Sequence, residues 1–491
     1  MPKSSLTCDV IVIGAGNAAL TAAIAAHDQR ANVIVFEKAT KELRGGDSRF
    51  SGGMFRFAYN SKEDIKPFLT NLTKKEWDAV VIDPYTTQAY YNDIMRVTQG
   101  LADPEISQLI VDQSLDTMQW MTTKLGIKWT WTKLWTVVIE GRRYFSSGAL
   151  LDAEKEGVGL SDMLFKAAEK RKIKILYETR AVRLLMNSKG RVNGVTILDK
   201  QGLHDVKAKA VILASGGFQS NPEMRVKYLG GDWNTVKVRG AKHNTGDMIR
   251  EALAIGAKPA GHWAGCHATP IDGNAPNVGE LTLTDKTNRL SYTYGIMVNI
   301  HGKRFIDEGE DFGSYTYAKI GRAILVQTRS LAYQIFDQKT VGLLEPRYST
   351  GTPITANTIE ELADKLKIDR EALVNTVKEF NNAVQEGKFD PSKKDGKSTK
   401  GIIPVKANWA LRIDSPPYVA YSATCGITFT FGGLSTNLKA QVLDIGDNVI
   451  PGLYATGEIT GFFYHNYPGG TGLMRGAIFG RIAGINAAQE K

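Results

Sequence analysis

Short apolar runs alternate along the chain with small-residue and polar stretches. Val10 to Ile13 and Val33 to Phe36 are β-branched runs of strand length, and the Ala-rich stretch Asn17 to His27 between them is helix-compatible. Residues 8–37 therefore predict strand, tight turn, helix and strand, one βαβ unit of a parallel sheet. Further strands are expected at Lys174 to Tyr177, Val192 to Leu198 and Ala208 to Leu213, with a helix from Ser161 to Lys170 capped by Ser161. Thr358 and Glu361 have the T-x-x-E spacing of a capping box and open a polar helical pair that runs to about Gln385. Gly52 to about Gly157 reads as irregular, and Lys388 to Lys400 as a solvated loop. A Gly-rich section, Gly426 to Ala487, ends in a helix-like tail, and no repeat of fixed period is present.

Composition narrows the class. The 491 residues suffice for two or three domains, and 43% hydrophobic with 23% charged residues fits a globular enzyme. Gly is in excess at 49 residues, clustered in short motifs where backbone must approach something closely. Lys and Arg exceed Asp and Glu by 61 to 51, a balance of +10 that suits anionic ligands, but no dense basic run points to nucleic acid. The three cysteines, Cys8, Cys266 and Cys425, are scattered, so neither a metal site nor a disulfide framework is expected. The apolar stretch Cys8 to Ala26 carries Asp9 and Asn17, is broken by Gly14 and Gly16, and lacks a basic leader. A soluble, cytoplasmic protein without a transmembrane segment is expected.

The chemistry lies in the glycine motifs. Gly14-Ala15-Gly16-Asn17-Ala18-Ala19 is GxGxxA, directly after a strand and opening a helix. Gly14 permits the turn, Gly16 admits a pyrophosphate to the helix N-terminus, and Ala19 lets helix and strand pack closely. Glu37 ends the second strand, about 20 residues on, where a carboxylate can accept from a ribose diol. Arg44-Gly45-Gly46-Asp47-Ser48 followed by Ser51-Gly52-Gly53 is a second anion cradle. Ala214-Ser215-Gly216-Gly217 follows a strand, His243-Asn244-Thr245-Gly246-Asp247 opens a helix, and Gly452 to Glu458 precedes Asn466 to Leu473.

This ordered set resembles the FAD-dependent oxidoreductases of the fumarate reductase/succinate dehydrogenase flavoprotein family, over nearly the whole chain. The GGDSRFSGGMFRFAY and CGITFTFGGL stretches look closest to the tricarballylate dehydrogenase-like branch. The resemblance implies an α/β, Rossmann-type FAD-binding domain, bipartite in sequence (1–261 and 430–491), with an inserted α+β cap (262–429). It implies that Glu37 holds the adenosine ribose, Gly45 to Ser48 the pyrophosphate and Glu458 further hydroxyls. Gly470, Gly472 and Leu473 would meet the flavin at a helix N-terminus. Lys38, Ala181, Ala214, Ser215, Gly216, Asn244, Gly246 and Asp247 complete the expected contact set. Membrane-bound relatives tether FAD through a His before their GG pair; here no His lies between His27 and His204, so non-covalent FAD is expected.

The resemblance fails at the catalytic end. His267 matches the first substrate His and Glu280 lies at the spacing of the proton-path Glu. The expected catalytic Arg falls near Phe312-Gly313, the second substrate His at Thr428-Phe429, and the carboxylate-clamping Arg at Tyr467. A fumarate reductase is therefore not expected. Tyr467, placed like the tyrosine of the ketosteroid dehydrogenases, is the first candidate acid or base, followed by His465, Tyr315 and Tyr317. Arg56 and Arg143, of the pair Arg142-Arg143, are candidate carboxylate ligands. Asn17 reads as a helix-start residue, and Trp131 and Trp135 as core.

The expected activity is interconversion of a C–C single bond and an alkene beside a carboxylate or carbonyl, tricarballylate being the leading guess. A ketosteroid-type dehydrogenase acting on an apolar ring is the alternative, and a non-catalytic flavin-binding electron-transfer subunit a third. The partners expected are that small molecule and an unidentified electron donor or acceptor.

Overall fold

The computed structural model describes residues 7–132, 134–145 and 147–490. Its centre is an eight-stranded sheet. Thr7–Ile13 pairs in parallel with Val33–Phe36 on one side and Gly202–Leu213 on the other; Lys174–Leu176 extends the first side in parallel. Val10 to Ile13 and Val33 to Phe36 are buried, as a parallel sheet covered on both faces requires. Arg180–Met186 and Val192–Asp199 add antiparallel strands, and Val449–Ala455 returns from the C-terminal region to pair with Gly202–Leu213. The bipartite layout is thus built into one sheet.

Helix Asn17–Asp28 packs against the C-terminal helix Thr471–Ala488. Their contact is backbone on backbone: a Cβ at Gly484 would stand 2.2 Å from Ala22 O. This fixes both helix N-termini, and the glycine loops before them, on one side of the sheet.

The second layer is a six-stranded sheet around the long strand Tyr418–Thr430. Cys266–Asp272, Leu331–Phe336 and Ile354–Ala356 pair with it antiparallel, Ile296–Asn299 pairs with Leu331–Phe336, and Lys237–Val238 joins in parallel. This sheet draws one strand from before residue 262 and its central strand ends at Thr430. Helix Gly313–Leu325 packs on Cys266–Asp272, where a Cβ at Gly321 would lie 2.6 Å from Ala268 C.

Several local expectations change. The stretch read as irregular contains helices Thr87–Val97 and Pro104–Leu125. The second has an Asp103 cap, Pro104 in its first turn and Gly126 at its end, but its buried stripe mixes Ser107, Ser114 and Thr117 with Ile110, Met118 and Met121, which blurs the apolar period. The helix expected to start at Ser161 starts at Glu156. Gly157 and Gly159 look like breakers in sequence, yet Gly157 lets the first turn touch the cradle, since a Cβ there would meet Ser48 O at 2.3 Å. Thr358 Oγ1 accepts the Glu361 N–H at 3.0 Å, but Glu361 accepts from Asn357 N at 2.8 Å, one residue before the box position.

Candidate functional site

A long cleft runs along the carboxyl ends of the parallel strands. Its outer half is lined by Gly14, Ala15, Gly16, Asn17, Ala18, Glu37, Lys38, Gly46, Asp47, Ser48, Ala181, Ala214 to Gly216, Asn244, Gly246, Asp247 and Glu458. Gly14 has φ +103°, and a Cβ there would stand 2.5 Å from Ala214 O, so only glycine brings the two strand ends this close. Gly16 caps helix Asn17–Asp28 without a side chain, which leaves helix N–H groups toward the cleft; Asn17 N donates to Ser48 Oγ at 3.0 Å.

The Glu37 carboxylate accepts the Ala39 N–H at 2.7 Å, and burial raises its pKa. Lys38 and Asp247 bond each other at 3.1 Å, and Lys38 also donates to His243 O, fixing the 243–247 loop to the strand end. Arg44, Gly45 and Gly53 were expected at the cofactor but do not line the cleft. Arg44 donates to Tyr177 Oη at 2.8 Å and lies over the Phe165 ring. Gly45 and Gly53 shape the turns on either side of the cradle with positive φ, and Ala19 is buried in the helix contact.

Asn17, Ala18, Asp47, Ser48, Gly457 and Glu458 line both halves, so the cleft is continuous. Asp47 and Glu458 meet there through Gln219, whose Nε2 donates to both carboxylates, the Glu458 contact being 3.3 Å. Ala241 N donates to Asp47 at 2.6 Å and Thr430 N to Glu458 at 3.0 Å. Burial pushes Asp47 up to about 7; burial and the neighbouring Asp47 charge push Glu458 up to about 8. The folded pair therefore holds protons that the unfolded chain has released, so its contribution to stability falls as pH rises from the ordinary carboxylate range through 7–8. Asp47→Asn is expected to gain on wild type in apoprotein Tm between pH 6 and pH 9, measured by calorimetry; a Tm difference that stays constant with pH would refute the raised Asp47 pKa.

Beyond this pair the cleft widens into a chamber lined by Ser51, Gly52, Met54, Leu134, Trp135, Arg239, His267, Asp285, Asn288, Leu290, Tyr317, Thr428, Phe429, Phe463, Tyr467, Gly470, Gly472 and Leu473. Helix Gly313–Leu325 supplies Tyr317 and the loop before Thr471–Ala488 supplies Tyr467; their hydroxyls are hydrogen-bonded to each other. The His267 ring lies edge-on to both, 4.8 and 5.2 Å between centroids, and stacks on Phe429 at 5.1 Å. Burial raises Tyr317 to about 12 and Tyr467 well above the usual phenol value, the latter also through Tyr317. Burial and the Arg239 charge hold His267 well below its usual value, so it is neutral at neutral pH.

The other candidates lie elsewhere. Tyr315 donates to Asp93 at 2.6 Å and receives from Arg56. Arg56 is fully buried, donating to Gly469 O at 2.7 Å and Ser147 O at 2.5 Å, behind the chamber wall. Arg143 reaches Thr136 Oγ1 at 3.2 Å in a small hairpin. Glu280 is exposed, and Asp285, five residues on and bonded to Arg347, lines the chamber in its stead. His465 stands outside, its ring 4.7 Å from His262. Trp135 lines the chamber, contrary to the core reading. Arg239, missed in the sequence, follows a two-residue strand with no motif around it; it donates to Thr428 Oγ1 at 3.0 Å and Phe50 O at 3.2 Å.

A buried Asn17 Oδ1 without a protein partner, the glycine cradle at a helix N-terminus and the Glu37 carboxylate together fit a dinucleotide along the cleft. The FAD binding domain family model matches residues 9–473. The chain belongs to this FAD-binding family. It is 28% identical to the fumarate reductase (cytochrome) of Shewanella frigidimarina, over 98% of this chain and 77% of that protein. It is 29% identical to the urocanate reductase of Eggerthella lenta, over 98% of this chain and 74% of that protein. Among solved structures, an open flavocytochrome c3 fumarate reductase matches with TM-score 0.73 at 28% identity, covering 99% of this chain and 79% of that one. A 3-ketosteroid Δ1-dehydrogenase from Sterolibacterium denitrificans shares the fold, with TM-score 0.75 at 23% identity, covering 99% of this chain and 100% of that one. The protein is an FAD-dependent oxidoreductase acting on CH–CH groups. Among the described residues no helix is long and apolar enough to cross a membrane.

On the expectation that Glu37 accepts from a ribose diol, Glu37→Ala would lower FAD affinity at least tenfold, at about 1.5–3 kcal/mol for each charge-assisted hydrogen bond lost. FAD released by acid precipitation from the purified variant measures it, and wild-type occupancy would put the ribose elsewhere.

Proposed function

We propose that this flavoprotein oxidises or reduces a C–C bond adjacent to a single carbonyl group on a flat, largely apolar substrate. The observation that carries the reading is the hydrogen-bonded Tyr317–Tyr467 pair inside a chamber walled by Trp135, Leu134, Leu290, Phe429 and Phe463.

Bound FAD supplies the two-electron acceptor or donor. The protein's own part concerns the carbonyl oxygen and one proton. Two neutral phenols joined by one hydrogen bond use one O–H between them and leave the other free to donate. That free O–H, aimed at a substrate carbonyl, stabilises the negative charge that builds on oxygen when the adjacent carbon loses a proton, and that is discharged in the reverse direction when the same carbon regains one. Neutral His267 beside both rings adds no competing charge, and Arg239 in the same wall favours the anionic form of the oxygen. His267, Tyr317, Tyr467 and Arg239 are all buried, which strengthens these contacts.

Arg239 also favours a second reading, a carboxylate-activated substrate of the tricarballylate type, since a buried guanidinium in the chamber is a carboxylate donor. A tricarboxylate, however, needs cations for three carboxylates, and the only cations lining the chamber among the described residues are Arg239 and Arg475. Arg475 already donates to Thr460 and Gly457.

Anaerobic titration of the holoenzyme tests the choice. Oxidised flavin is expected to bleach with saturated cyclic ketones, or photoreduced flavin to reoxidise with the matching enones, while tricarballylate and cis-aconitate leave it unchanged. Bleaching by tricarballylate with no response to either ketone class would reverse the assignment.

A further inference from the structure

A second cavity adjoins the chamber on the side away from the dinucleotide cleft. It shares Leu134, Trp135 and Leu290 with the chamber and continues between the hairpin of Thr136–Ile139 and Arg142–Phe145 and the cap. Its farther wall includes Val137, Phe312, Leu343, Leu344, Pro391 and Trp409, and the uncharged hydroxyl residues Thr136, Ser291, Thr293 and Tyr294 also line it. Among the described residues no Lys or Arg lines it, and its Glu345 is paired with Arg347 at 3.4 Å.

Trp135 stands where the two cavities meet. Its backbone has φ +55°, a conformation that is a true outlier for a bulky residue and persists only where the surroundings impose it. Those surroundings are specific. A Cβ at Gly313 would lie 2.9 Å from the indole Nε1, and one at Gly469 would lie 2.8 Å from the far edge of the ring. Glycines from the cap helix and from the loop carrying Tyr467 thus leave room for one indole between them. The same ring meets Tyr317 edge-on at 5.0 Å, so it touches the tyrosine pair on one side and the outer cavity on the other. Phe312, which stands where the family resemblance expects a catalytic arginine, lines the outer cavity as one more apolar surface.

We propose that this outer cavity is a substrate vestibule that holds an uncharged, apolar extension of the substrate, and that Trp135 sets the size of what passes between vestibule and chamber. The inference rests on the apolar, single-carbonyl reading above. A compound with only the reacting ring is held within the chamber; one with an aryl or alkyl extension also buries that extension against Leu343, Pro391 and Trp409. An anionic extension gains nothing there, because no cation faces it. The lining makes Trp135 a specificity-determining residue.

The test uses the FAD-loaded protein and two neutral probes, cyclohex-2-enone and 4-phenylcyclohex-2-enone, with binding followed by perturbation of the flavin absorbance. In wild type the phenyl probe is expected to bind about tenfold or more tightly, the gain from burying most of one ring. Leu343→Arg puts a charge in the vestibule at a half-exposed position that lines neither the cleft nor the chamber. It is expected to abolish that advantage while the short probe's Kd stays within about twofold. Trp135→Ala is expected to accelerate association of the phenyl probe about tenfold or more and to weaken the short one. If Trp135→Ala does not fold, Leu343→Arg alone decides. A normal response to the short probe with no advantage for the phenyl probe, or an advantage that Leu343→Arg leaves intact, overturns the vestibule. Silence toward both probes in wild type overturns the apolar-substrate reading and the vestibule with it.

Discussion

Tyr467→Phe is expected to slow flavin reduction by the true substrate ~10²–10⁴-fold, the usual share of a positioned acid–base group, or about 3–5 kcal/mol of barrier. The substitution keeps the ring, so the contacts with His267, Phe429, Phe431 and Phe463 survive and no cavity opens. FAD content and Tm are therefore expected to match wild type. Since the Tyr317 and Tyr467 hydroxyls share one hydrogen bond, Tyr317→Phe removes the same donor arrangement from the other end. The double variant is expected to be scarcely slower than either single one, because the pair acts as a unit. Single-turnover anaerobic stopped-flow on all three variants decides. A Tyr467→Phe rate within about threefold of wild type would remove the Tyr467 hydroxyl from the chemistry, and the same result for the double variant would remove the pair.

What the sequence carried was local. The βαβ unit came from two β-branched runs and a small-residue helix, and the structure puts strand Val33–Phe36 and helix Asn17–Asp28 within one residue of those limits. The dinucleotide cleft was legible because its contacts are mostly backbone, held by contiguous glycine motifs whose order along the chain is itself informative. The chamber was much less so. Its walls come from residues 54, 134–135, 239, 267, 290, 317, 428–429, 463 and 467, which lie far apart in sequence and meet only in the folded chain. Spacing within one segment could not separate Tyr315 from Tyr317. Two residues apart on a helix, they point about 200° apart, one to the Arg56 network and one to Tyr467. Helix Pro104–Leu125 is hidden for a different reason: its buried Ser107 and Ser114 donate to the backbone carbonyls of Asp103 and Val111, and so look polar in sequence while packing as core.

Arg56→Met is expected to destabilise the protein and loosen FAD, where the sequence expectation of a substrate ligand would have it raise KM alone. The guanidinium lies behind the chamber, bonded to Gly469 O, Ser147 O, Tyr85 Oη and Tyr315 Oη. Methionine fills much of the same volume but donates nothing, which strands two buried carbonyls at about 1–3 kcal/mol each. The expected cost is therefore about 2–6 kcal/mol, or a fall in Tm of roughly 2–6 °C for a chain of this length unfolding as one unit. Gly469 precedes Gly470, which lines the chamber at the start of helix Thr471–Ala488, and follows Tyr467 by two residues. Losing its anchor is expected to lower FAD occupancy and flavin reduction together, the pattern that separates it from Tyr467→Phe. Arg56→Lys keeps the charge but replaces a planar fork by one ammonium, which cannot reach both carbonyls in the same geometry, so only partial rescue is expected. Calorimetry, FAD content and substrate titration on both variants test this. A Tm within about 1 °C of wild type together with a raised KM would mean that Arg56 meets the substrate directly and that the Gly469 loop is held by something else.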